Sequence, residues 1–428
     1  MPPISPAGAI LDHLRRRQEA MTGLLADLAR LESPSVAPAS QGPVLDRLES
    51  ELRALGMRVR RLRGKRSGGQ LFAAPARPPG RARGGRRTGR ARGGPLQLLL
   101  GHCDTVWPQG MLATMPVEAR DGSLYGPGVY DMKAGLVQAV FALRALRELD
   151  LEPPAVPVMF VNSDEETGSG ESTRHVRRLA RRVRRVFVLE PSLGADGRLK
   201  TGRKGVGQFV VTVRGRAAHA GLEPERGASA VLELSHVIQR LHAMADPARG
   251  VAVNVGVVAG GLRGNVVAPE ARAEVDVRVQ REEDAPVLAA AVRGLRPTVP
   301  GTRLEVTGGI DRPPLTLTAA NLGLLHLAEQ AAGQLGLALG HGSAGGASDG
   351  NTTSLYTATL DGLGAVGGGA HALDEHVVLA RMPERAALLA LLLLAPLAAP
   401  AAAEETAASA DALAVAGAPA AGARGDGA

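Results

Sequence analysis

The sequence has one cysteine, few aromatic residues and no long apolar run, and each scarcity excludes a class of protein. With Cys103 alone, no internal disulfide framework forms, so nothing in the sequence requires an oxidising compartment. Aromatic residues make up 2% of the chain, so the core must be built from Leu, Val and Ala. The longest apolar run, residues 386–394, is too short to span a bilayer and predicts a buried final helix.

The N-terminal stretch also lacks the parts of a secretory signal peptide. It has no basic segment followed by an apolar segment, and its pattern predicts an amphipathic helix instead. We therefore expect a cytoplasmic protein with no membrane partner.

Lysine and arginine together outnumber the acidic residues, 50 to 42, which gives the chain a formal net charge of +8. Two arginine-rich runs stand out, residues 77–92 and residues 174–185. The first run lacks aromatic residues and is interleaved with Gly and Pro, which is typical of a flexible loop. The second run has helical spacing and predicts a solvated helix face. Neither pattern favours a nucleic-acid partner.

What the sequence does contain is a set of apolar strands that run directly into acidic residues or histidine. Strands are predicted at about residues 98–100, 156–162 and 186–189, and they lead into His102, into the acidic run 164–166 and into Glu190. Because helices alternate with these strands, we expect an α/β fold, a mixed, mostly parallel sheet with helices on both faces. Such sheets place their sites at the carboxyl ends of the strands.

From about residue 204 the pattern changes to a β-α-β-β-α-β order. This order predicts a small ferredoxin-like α+β domain, inserted into the first domain. The predicted organisation is a catalytic domain of residues 1–203 and 316–397 and an inserted domain of residues 204–315. Residues 77–94 are predicted to be a disordered loop and residues 398–428 a disordered tail rich in Ala and Gly.

Six residues have side chains suited to metal binding or proton transfer: His102, Asp131, Glu165, Glu166, Glu190 and His371. Without Glu165 they form a mixed nitrogen and oxygen set that suits Zn²⁺, with Co²⁺ or Mn²⁺ as weaker options. Five ligands are too many for one catalytic zinc, but they suffice for two ions if one carboxylate bridges. Glu165 would then be the general base that deprotonates the bridging water.

Five of these six residues, all but Glu190, also have a structural explanation. His102 and Asp104 could end an ordinary strand, although in a strand they share a face and the carboxylate could hold the imidazole in one tautomer. Asp131 stands where a helix N-cap would be. The acids at 165–166 could lie in a solvated loop, and His371 could be incidental in a glycine-rich loop.

Two other nucleophile candidates are set aside. Ser348 and Asp349 invite a Ser-His-Asp interpretation, but no G-x-S-x-G elbow frames the serine. Cys103 lies on the strand face opposite to His102 and is predicted to be buried and inert.

The chain resembles the M20 metallopeptidases, and within them the glutamate carboxypeptidase-like branch. The resemblance covers about residues 10–396 and rests on these motifs, in this order: GHCDTVWP, GPGVYDMKAG, NSDEETGS, LEPS, GRAAHAG, GNVVAPEARAEVDVR, GGASDGN and GGGAHALDE. It implies a zinc-exopeptidase-like fold and a dizinc hydrolase of carboxypeptidase or dipeptidase type. Such an enzyme cleaves an amide bond next to a free C-terminal carboxylate, with C-terminal glutamate as one candidate. A metal-bridging hydroxide is the expected nucleophile.

The resemblance also assigns roles at the metal centre. It implies two Zn²⁺ ions per subunit, one held by His102 and Glu190 and the other by His371 and Glu166, with Asp131 bridging both. It further implies that Glu165 is the base, that Asp104 orients His102, and that the peptide bond after the bridging aspartate, between residues 131 and 132, is cis.

For the inserted domain, the resemblance implies a role as a lid and as the contact of a homodimer. His219 is expected to reach the oxyanion in the partner's site, and Asn265 and Arg278 to bind the C-terminal carboxylate of the substrate. Arginine suits a carboxylate because its planar fork donates two parallel hydrogen bonds. The structural alternatives are that His219 only packs in its turn and that Arg278 only forms a salt bridge at a strand edge.

Two other functions stay open. One is an N-acyl-amino-acid deacylase of amino-acid metabolism, similar to acetylornithine deacetylase or succinyl-diaminopimelate desuccinylase. The other is a metal-free binding protein on the same fold. The expected substrate is therefore a small peptide or an N-acyl amino acid.

Overall fold

Helices and strands alternate along most of the chain in this computed structural model, which describes residues 6–76 and 94–397. The helices are α1 Ala7–Arg15, α2 Gln18–Arg30, α3 Gly42–Ala54, α4 Ala134–Glu148, α5 Thr173–Ala180, α6 Ala230–His242, α7 Asp284–Arg293, α8 Ala319–Gln334, α9 Asp349–Thr353 and α10 Met382–Leu394. The strands are β1 Met57–Leu62, β2 Gln70–Pro75, β3 Leu96–His102, β4 Glu118–Arg120, β5 Ser123–Tyr125, β6 Val156–Asn162, β7 Arg185–Val188, β8 Leu199–Arg203, β9 Gly205–Arg214, β10 Ala252–Gly260, β11 Glu270–Val279, β12 Arg303–Arg312, β13 His341–Ala344, β14 Ala358–Leu360, β15 Gly367–Gly368 and β16 His376–Val378.

The main sheet has six strands in the order β1-β2-β6-β3-β7-β14. Strands β6, β3, β7 and β14 pair in parallel, whereas β1, β2 and β6 pair antiparallel, so the sheet is mixed. In this register His102 lies opposite Asn162, and Leu100 lies opposite Val188. The carboxyl ends of the three central strands therefore meet at one edge of the sheet.

Helices cover both faces of this sheet, as the sequence predicts. Leu99 of β3 packs into a core cluster shared with α1 to α4, α8 and α10. Its neighbours Leu98 and Leu100 point to the opposite face and pack with Val176 of α5. A strand buried on both faces needs apolar side chains in succession rather than in alternation, and this is why β3 contains three consecutive leucines.

A second sheet follows further along the chain, with four antiparallel strands in the order β10-β11-β9-β12. Alternate residues of β9, Phe209 and Val211 among them, are buried in a separate core cluster. Leu234 of α6 and Val292 of α7 belong to the same cluster. The connection order is β-α-β-β-α-β. The domain boundaries given above and the role of this part as a lid or dimer contact stay predictions.

The predicted elements agree well with the structure, with two informative differences. The predicted N-terminal helix is two helices, α1 and α2, because the backbone of Arg17 leaves the helical region and its guanidinium contacts Glu148. The last strand of the second sheet, predicted at about residues 303–307, continues through Gly308 to Arg312 as β12. A Cβ at Gly308 would lie 2.1 Å from the Gln208 carbonyl oxygen, so the glycine permits close pairing with β9.

The predicted loop 77–94, apart from Gly94, and the predicted tail 398–428 lie outside the described residues. Among the helices that the structure describes, none combines the length and the apolar character that crossing a membrane requires.

Candidate active site

Three of the predicted site residues, His102, Asp131 and Glu190, lie close together at the carboxyl edge of the main sheet. His102 ends β3, and Glu190 lies two residues beyond β7. The His102 Nε2 atom lies 3.4 Å from Asp131 Oδ1 and 3.4 Å from Glu190 Oε1. His102 and Glu190 are both buried. One histidine nitrogen thus faces two carboxylates from distant parts of the chain.

The second half of the site lies on the other side of Asp131. His371 Nε2 is 3.6 Å from Asp131 Oδ2 and 3.3 Å from Glu166 Oε1. The His371 side chain is 50% exposed, whereas that of His102 is 2% exposed. Asp131 therefore offers one carboxylate oxygen to each imidazole, and the site opens to solvent on the His371 side.

Glu375 fixes the turn that carries Asp131. Its carboxylate accepts hydrogen bonds from the backbone N–H groups of Gly128, Tyr130 and Asp131, at 2.9, 2.9 and 3.0 Å, and from Trp107 Nε1 at 2.7 Å. The sequence analysis missed this role, although the acid stands in the motif that ends GGGAHALDE. Four donors to one carboxylate hold the backbone before α4 in a single conformation.

Asp131 itself does not cap a helix. The N-cap residue of α4 is Lys133, without a side-chain capping hydrogen bond. The peptide bond between Asp131 and Met132 is cis, as predicted. Asp131 Oδ1 is buried and accepts no hydrogen bond within the described part of the chain. The structure thus contradicts the capping explanation for this residue.

The described residues include two overlapping groups of candidate ligands for a divalent cation, which share His102 and do not include His371. His102, Asp131 and Glu166 offer ligand atoms within 4.8 Å of one another, and so do His102, Glu165 and Glu190. Several acids buried together are costly unless they are paired or bound to metal. Imidazole nitrogen with carboxylate oxygen is the chemistry that zinc sites use.

Asp104 lies beneath His102 and connects it to the acidic loop. Its carboxylate accepts from the N–H groups of Glu165 and Glu166, both at 3.2 Å, and from Ser35 Oγ at 2.8 Å. His102 Nδ1 is 3.0 Å from the Asp104 carbonyl oxygen and 3.4 Å from its carboxylate. Burial opposes ionisation, but the interaction with the His102 imidazole, followed by the hydrogen bonds from Ser35 and the Glu166 N–H, outweighs it and lowers the pKa of Asp104. The backbone carbonyl is thus the nearer partner of the imidazole.

Glu165, the predicted base, is held by Arg312 at the end of β12. Arg312 Nη1 donates to Glu165 Oε1 at 2.5 Å, and Nη2 donates to the Glu165 carbonyl at 3.1 Å and to Ser169 Oγ at 2.8 Å. Burial raises the pKa of the Glu165 carboxyl to about 8, and the guanidinium opposes that rise. Sequence analysis missed Arg312, for which the only signal was an arginine before two prolines at a strand end.

A second arginine that the sequence analysis missed supports Glu190. Arg203 Nη2 lies 3.0 Å from Glu190 Oε2, and its Nε lies 2.7 Å from Asp361 Oδ2. Burial opposes ionisation of Glu190, but Arg203 and His102 outweigh it and hold its pKa well below the usual range. The glutamate is therefore an anion that points one oxygen at His102 and the other at Arg203.

A cleft of about 970 Å³ opens beside Glu165, Glu166 and His371. Arg278 lines this cleft, and its guanidinium pairs with Asp276 through Nε–Oδ1 at 2.7 Å and Nη2–Oδ2 at 2.9 Å. The structure thus places the predicted carboxylate binder in the same cleft as the predicted base, while the salt bridge that was its structural alternative is also present.

The other two predicted substrate residues lie outside that cleft. His219 and Asn265 are exposed neighbours on loops of the second sheet, where the Ala220 N–H donates to the Asn265 carbonyl at 3.1 Å. His219 Nδ1 accepts from the backbone N–H groups of Gly221 and Leu222. Within one chain, the structure therefore does not bring these two residues to the candidate metal ligands.

Ser348, Asp349 and Cys103, which the sequence analysis excluded as nucleophilic groups, are held in structural roles or buried. Ser348 Oγ donates to Asp361 Oδ2 at 2.6 Å and caps α9 by accepting from the Gly350 N–H at 3.0 Å. Asp349 is buried and accepts from Asn162 and Ser169. Cys103 is buried, and burial raises the pKa of its thiol to about 12. A thiol with such a pKa is a poor nucleophile at neutral pH.

Comparison with known families and structures gives one consistent result. The family described as Peptidase family M20/M25/M40 matches residues 98–395. By structure, the chain is similar to aminopeptidase PepT from Bacillus cereus ATCC 10987, with a TM-score of 0.69 at 19% identity over 88% of this chain and 98% of that chain. This likeness shows a shared fold.

Sequence relatives include peptidases and a deacylase. Carboxypeptidase G2 from Pseudomonas sp. (strain RS-16) is 29% identical over 308 residues, which cover 69% of this chain and 72% of that protein. Succinyl-diaminopimelate desuccinylase from Stenotrophomonas maltophilia (strain R551-3) is 28% identical over 309 residues, which cover 67% of this chain and 80% of that protein. Several fungal probable carboxypeptidases are matched over 51–56% of their own length.

Proposed function

The chain belongs to peptidase family M20/M25/M40 and is a metallopeptidase of that family, and from this premise we propose that it is a dizinc hydrolase of small peptides or N-acyl amino acids. It cleaves the amide bond next to a free C-terminal carboxylate, with C-terminal glutamate as the first candidate. The observation that carries the proposal is the position of Asp131, with one oxygen 3.4 Å from His102 Nε2 and the other 3.6 Å from His371 Nε2.

The proposed metal ligands are His102 and Glu190 for one ion, His371 and Glu166 for the other, and Asp131 for both. The buried Asp131 oxygen without a hydrogen-bond donor supports this assignment. When bound, two zinc ions would polarise the amide carbonyl and make a water molecule acidic enough to attack at neutral pH. Co²⁺ or Mn²⁺ is an alternative for the same ligands.

Glu165 is proposed to move the proton. Arg312 engages its Oε1 atom, which leaves Oε2 as the oxygen that accepts the proton of the attacking water. The carboxylic acid then gives that proton to the nitrogen of the leaving amine as the carbon–nitrogen bond breaks. Asp104 keeps the acidic loop and His102 in place through its backbone hydrogen bonds.

Arg278 is proposed to bind the substrate's C-terminal carboxylate, because it lines the cleft beside Glu165. His219 and Asn265 lie away from the cleft of their own chain, which is compatible with a role in the site of a second subunit. We accordingly propose a homodimer through the second sheet, in which His219 contacts the oxyanion in the partner's site and Asn265 the carboxylate.

The second candidate function is an N-acyl-amino-acid deacylase, favoured by the similarity to a succinyl-diaminopimelate desuccinylase. The bond cleaved and the proposed residues are the same, so only the acyl group and the amino acid differ. A substrate panel separates the two, with dipeptides and benzoyl-glutamate on one side and acetyl- and succinyl-amino acids on the other.

The test of the proposal combines metal analysis with kinetics on that panel. We expect about two zinc equivalents per chain, activity that disappears on chelation and returns with Zn²⁺, and a Glu165→Gln variant that keeps its metal but loses at least about a hundredfold in kcat. Purified protein without metal, or activity indifferent to chelation and to the Glu165 variant, would reject the proposal.

A further inference from the structure

The second arginine-rich run of the sequence forms helix α5, and one of its arginines lines the catalytic cleft. Helix α5 packs against the main sheet through the buried side chain of Val176 and the partly buried side chain of Leu179. Thr173 and Arg177 are four residues apart, so they lie on the same side of the helix. Both belong to the wall of the cleft that contains Glu165 and Arg278. The neighbouring Arg178 is exposed and does not line the cleft.

Arg177, on helix α5, and Arg278, on the second sheet, differ in whether an acidic side chain pairs with them. Arg278 is held by the carboxylate of Asp276 through two hydrogen bonds. Within the described part of the chain, no acidic side chain forms an ion pair with Arg177, and Asp311, which also lines the cleft, pairs with neither arginine. Arg177 therefore lines the cleft without a counter-ion from any residue that the structure describes.

A carboxylate on the substrate is the natural complement of such a group. The planar guanidinium donates two parallel hydrogen bonds that match a carboxylate, and it stays charged at any physiological pH. The proposed function already assigns the C-terminal carboxylate of the substrate to Arg278. The Arg177 guanidinium in the same cleft is therefore suited to bind a second carboxylate of the substrate.

We propose that Arg177 is a specificity-determining residue that binds a second carboxylate of the substrate, so that the enzyme prefers dicarboxylic amides to their neutral counterparts. This inference rests on the proposed function. The second carboxylate has two possible sources with the same chemistry, the acidic side chain of a leaving amino acid such as glutamate, or the free end of a succinyl-type acyl group.

The exposed arginines around Arg177 support a preference for anionic substrates. Arg174, Arg178 and Arg181 are exposed on the same helix or directly after it. A surface of one charge sign next to a cleft raises the local concentration of oppositely charged substrate, and salt screens this effect. The exposed arginines thus attract dicarboxylic substrates electrostatically from a distance, while Arg177 contacts the bound substrate.

The test measures kcat/KM for two matched pairs of substrates with the zinc-loaded full chain. The first pair is benzoyl-glutamate and benzoyl-glutamine, and the second is succinyl-leucine and its uncharged succinamoyl analogue. The variants are Arg177→Gln and, as a control, Arg178→Gln, which removes the same charge from the same helix outside the cleft. Both residues are exposed, and the melting temperature verifies that each variant is folded.

We expect the wild type to prefer the dicarboxylate by about tenfold or more in one pair, which identifies the source of the second carboxylate. Arg177→Gln should abolish that preference and leave kcat/KM for the neutral partner within about twofold, while Arg178→Gln keeps the preference. A preference that survives in Arg177→Gln, or an equal loss on both partners, overturns the inference. If the wild type hydrolyses both partners of each pair equally, only this inference falls. If it hydrolyses none of the four, this inference falls, and the dipeptides and acetyl-amino acids of the wider panel decide whether the proposed function falls with it.

Discussion

At the scale of single residues, Asp131 differs from the buried acids Glu165 and Glu190 in how its charge is balanced. Glu165 is paired with Arg312, and Glu190 with Arg203. Asp131 has no arginine partner among the described residues. Its nearest cationic groups are the imidazoles of His102 and His371, at 3.4 and 3.6 Å, and its buried Oδ1 atom accepts no hydrogen bond in the described part of the chain. Leaving a buried acceptor unsatisfied costs about 1–3 kcal/mol, and more when it is charged. A cation between Asp131 and the two imidazoles would remove that cost.

Arg312 offers a test of how the base is positioned. Replacing it by Gln removes the hydrogen bond that fixes Oε1 of Glu165, so we expect kcat to fall about tenfold or more while KM and zinc content stay unchanged. Arg312 also opposes the rise in the pKa of Glu165. Without it that pKa rises, and because the base must be ionised, the acidic limb of the pH–rate profile moves to higher pH.

The control for this prediction is Arg303→Gln, at the exposed start of the same strand, which should change neither kcat nor the pH profile. Arg312→Lys should recover part of the lost kcat, because it restores a charge without the fork. A loss of kcat in Arg312→Gln with an unmoved acidic limb would show that the arginine matters for folding and not for the base.

Because the pKa values of His102 and His371 are raised, we expect metal uptake to release protons. Hydrogen bonding to Glu166 raises the pKa of His371 to about 9. For His102, burial acts to lower the pKa, but its acidic neighbours outweigh burial and raise it well above the usual value. Both imidazoles thus favour the protonated form without metal and must be neutral as ligands, so we expect metal uptake to release protons, up to one from each histidine. Titration calorimetry at pH 7 in buffers of different ionisation enthalpy measures this number.

The sign of the pH dependence follows from the same argument. Protons compete with the metal below the raised pKa values, so the apparent zinc affinity should increase from pH 6 towards pH 9. His371→Asn should reduce the number of released protons by about one, and His236→Asn, on helix α6 far along the chain from any candidate ligand, should not change it. A binding enthalpy that is the same in every buffer would contradict the prediction.

How much of the site the sequence predicts depends on where each residue lies relative to a strand end. His102, Glu165 and Glu190 were selected because an apolar strand leads into each, and the parallel register places those ends at one edge. Arg203 and Arg312 also end strands, but nothing local distinguishes a buried arginine from a solvated one. Their partners, Glu190 and Glu165, lie 13 and 147 residues away along the chain. These pairs are apparent only in the three-dimensional structure.

At the scale of secondary-structure elements, the approach of α4 to the end of β7 holds two candidate ligands at a fixed separation. A Cβ at Gly135, in the first turn of α4, would lie 2.0 Å from the Leu189 carbonyl oxygen. Asp131 precedes this helix and Glu190 follows Leu189. We expect Gly135→Ala to lower the free energy of unfolding by about 1–3 kcal/mol through overpacking and to weaken zinc binding as well.

Gly23→Ala is the matched control, because Gly23 lies inside helix α2 with nothing within 4 Å of a Cβ. There the substitution should increase the free energy of unfolding by about 0.5–1 kcal/mol, since alanine is the better helix former. Urea denaturation of both variants measures the two effects. Equal effects of the same sign at both positions would show that close contact with Leu189 is not what requires the glycine.

Elements with a strong local pattern were predicted with their observed bounds, as for β6 at residues 156–162. The differences arose where a contact between distant segments overrides the local pattern. Arg17 breaks the N-terminal helix while its guanidinium contacts Glu148 on α4. Gly308 continues a strand because β9 approaches its backbone closely. Neither neighbour is visible in a window of ten or fifteen residues.

At the scale of the whole molecule, the candidate ligands lie in one part of the structure and a separate core lies in another. They come from positions 102 to 371, on both sides of the second sheet in sequence. The core of that sheet, with Phe209, Val275 and Val292, contains none of them. Metal should therefore hold together the loops at the edge of the main sheet while leaving the second core to its own apolar contacts.

Removing the metal tests this separation. A ligand at a thousandfold excess over its Kd adds about 4 kcal/mol of stability, so chelation should lower the melting temperature by several degrees. Amide hydrogen exchange of the full chain should accelerate at residues 102–105, 129–133 and 164–169, because like charges are then left together without cations. Strands β9 and β11 should keep their protection. His102→Asn, which cannot complete the site, should exchange fast in the loops with or without chelator. Protection that falls evenly across both sheets would mean that the metal stabilises the molecule as one cooperative unit.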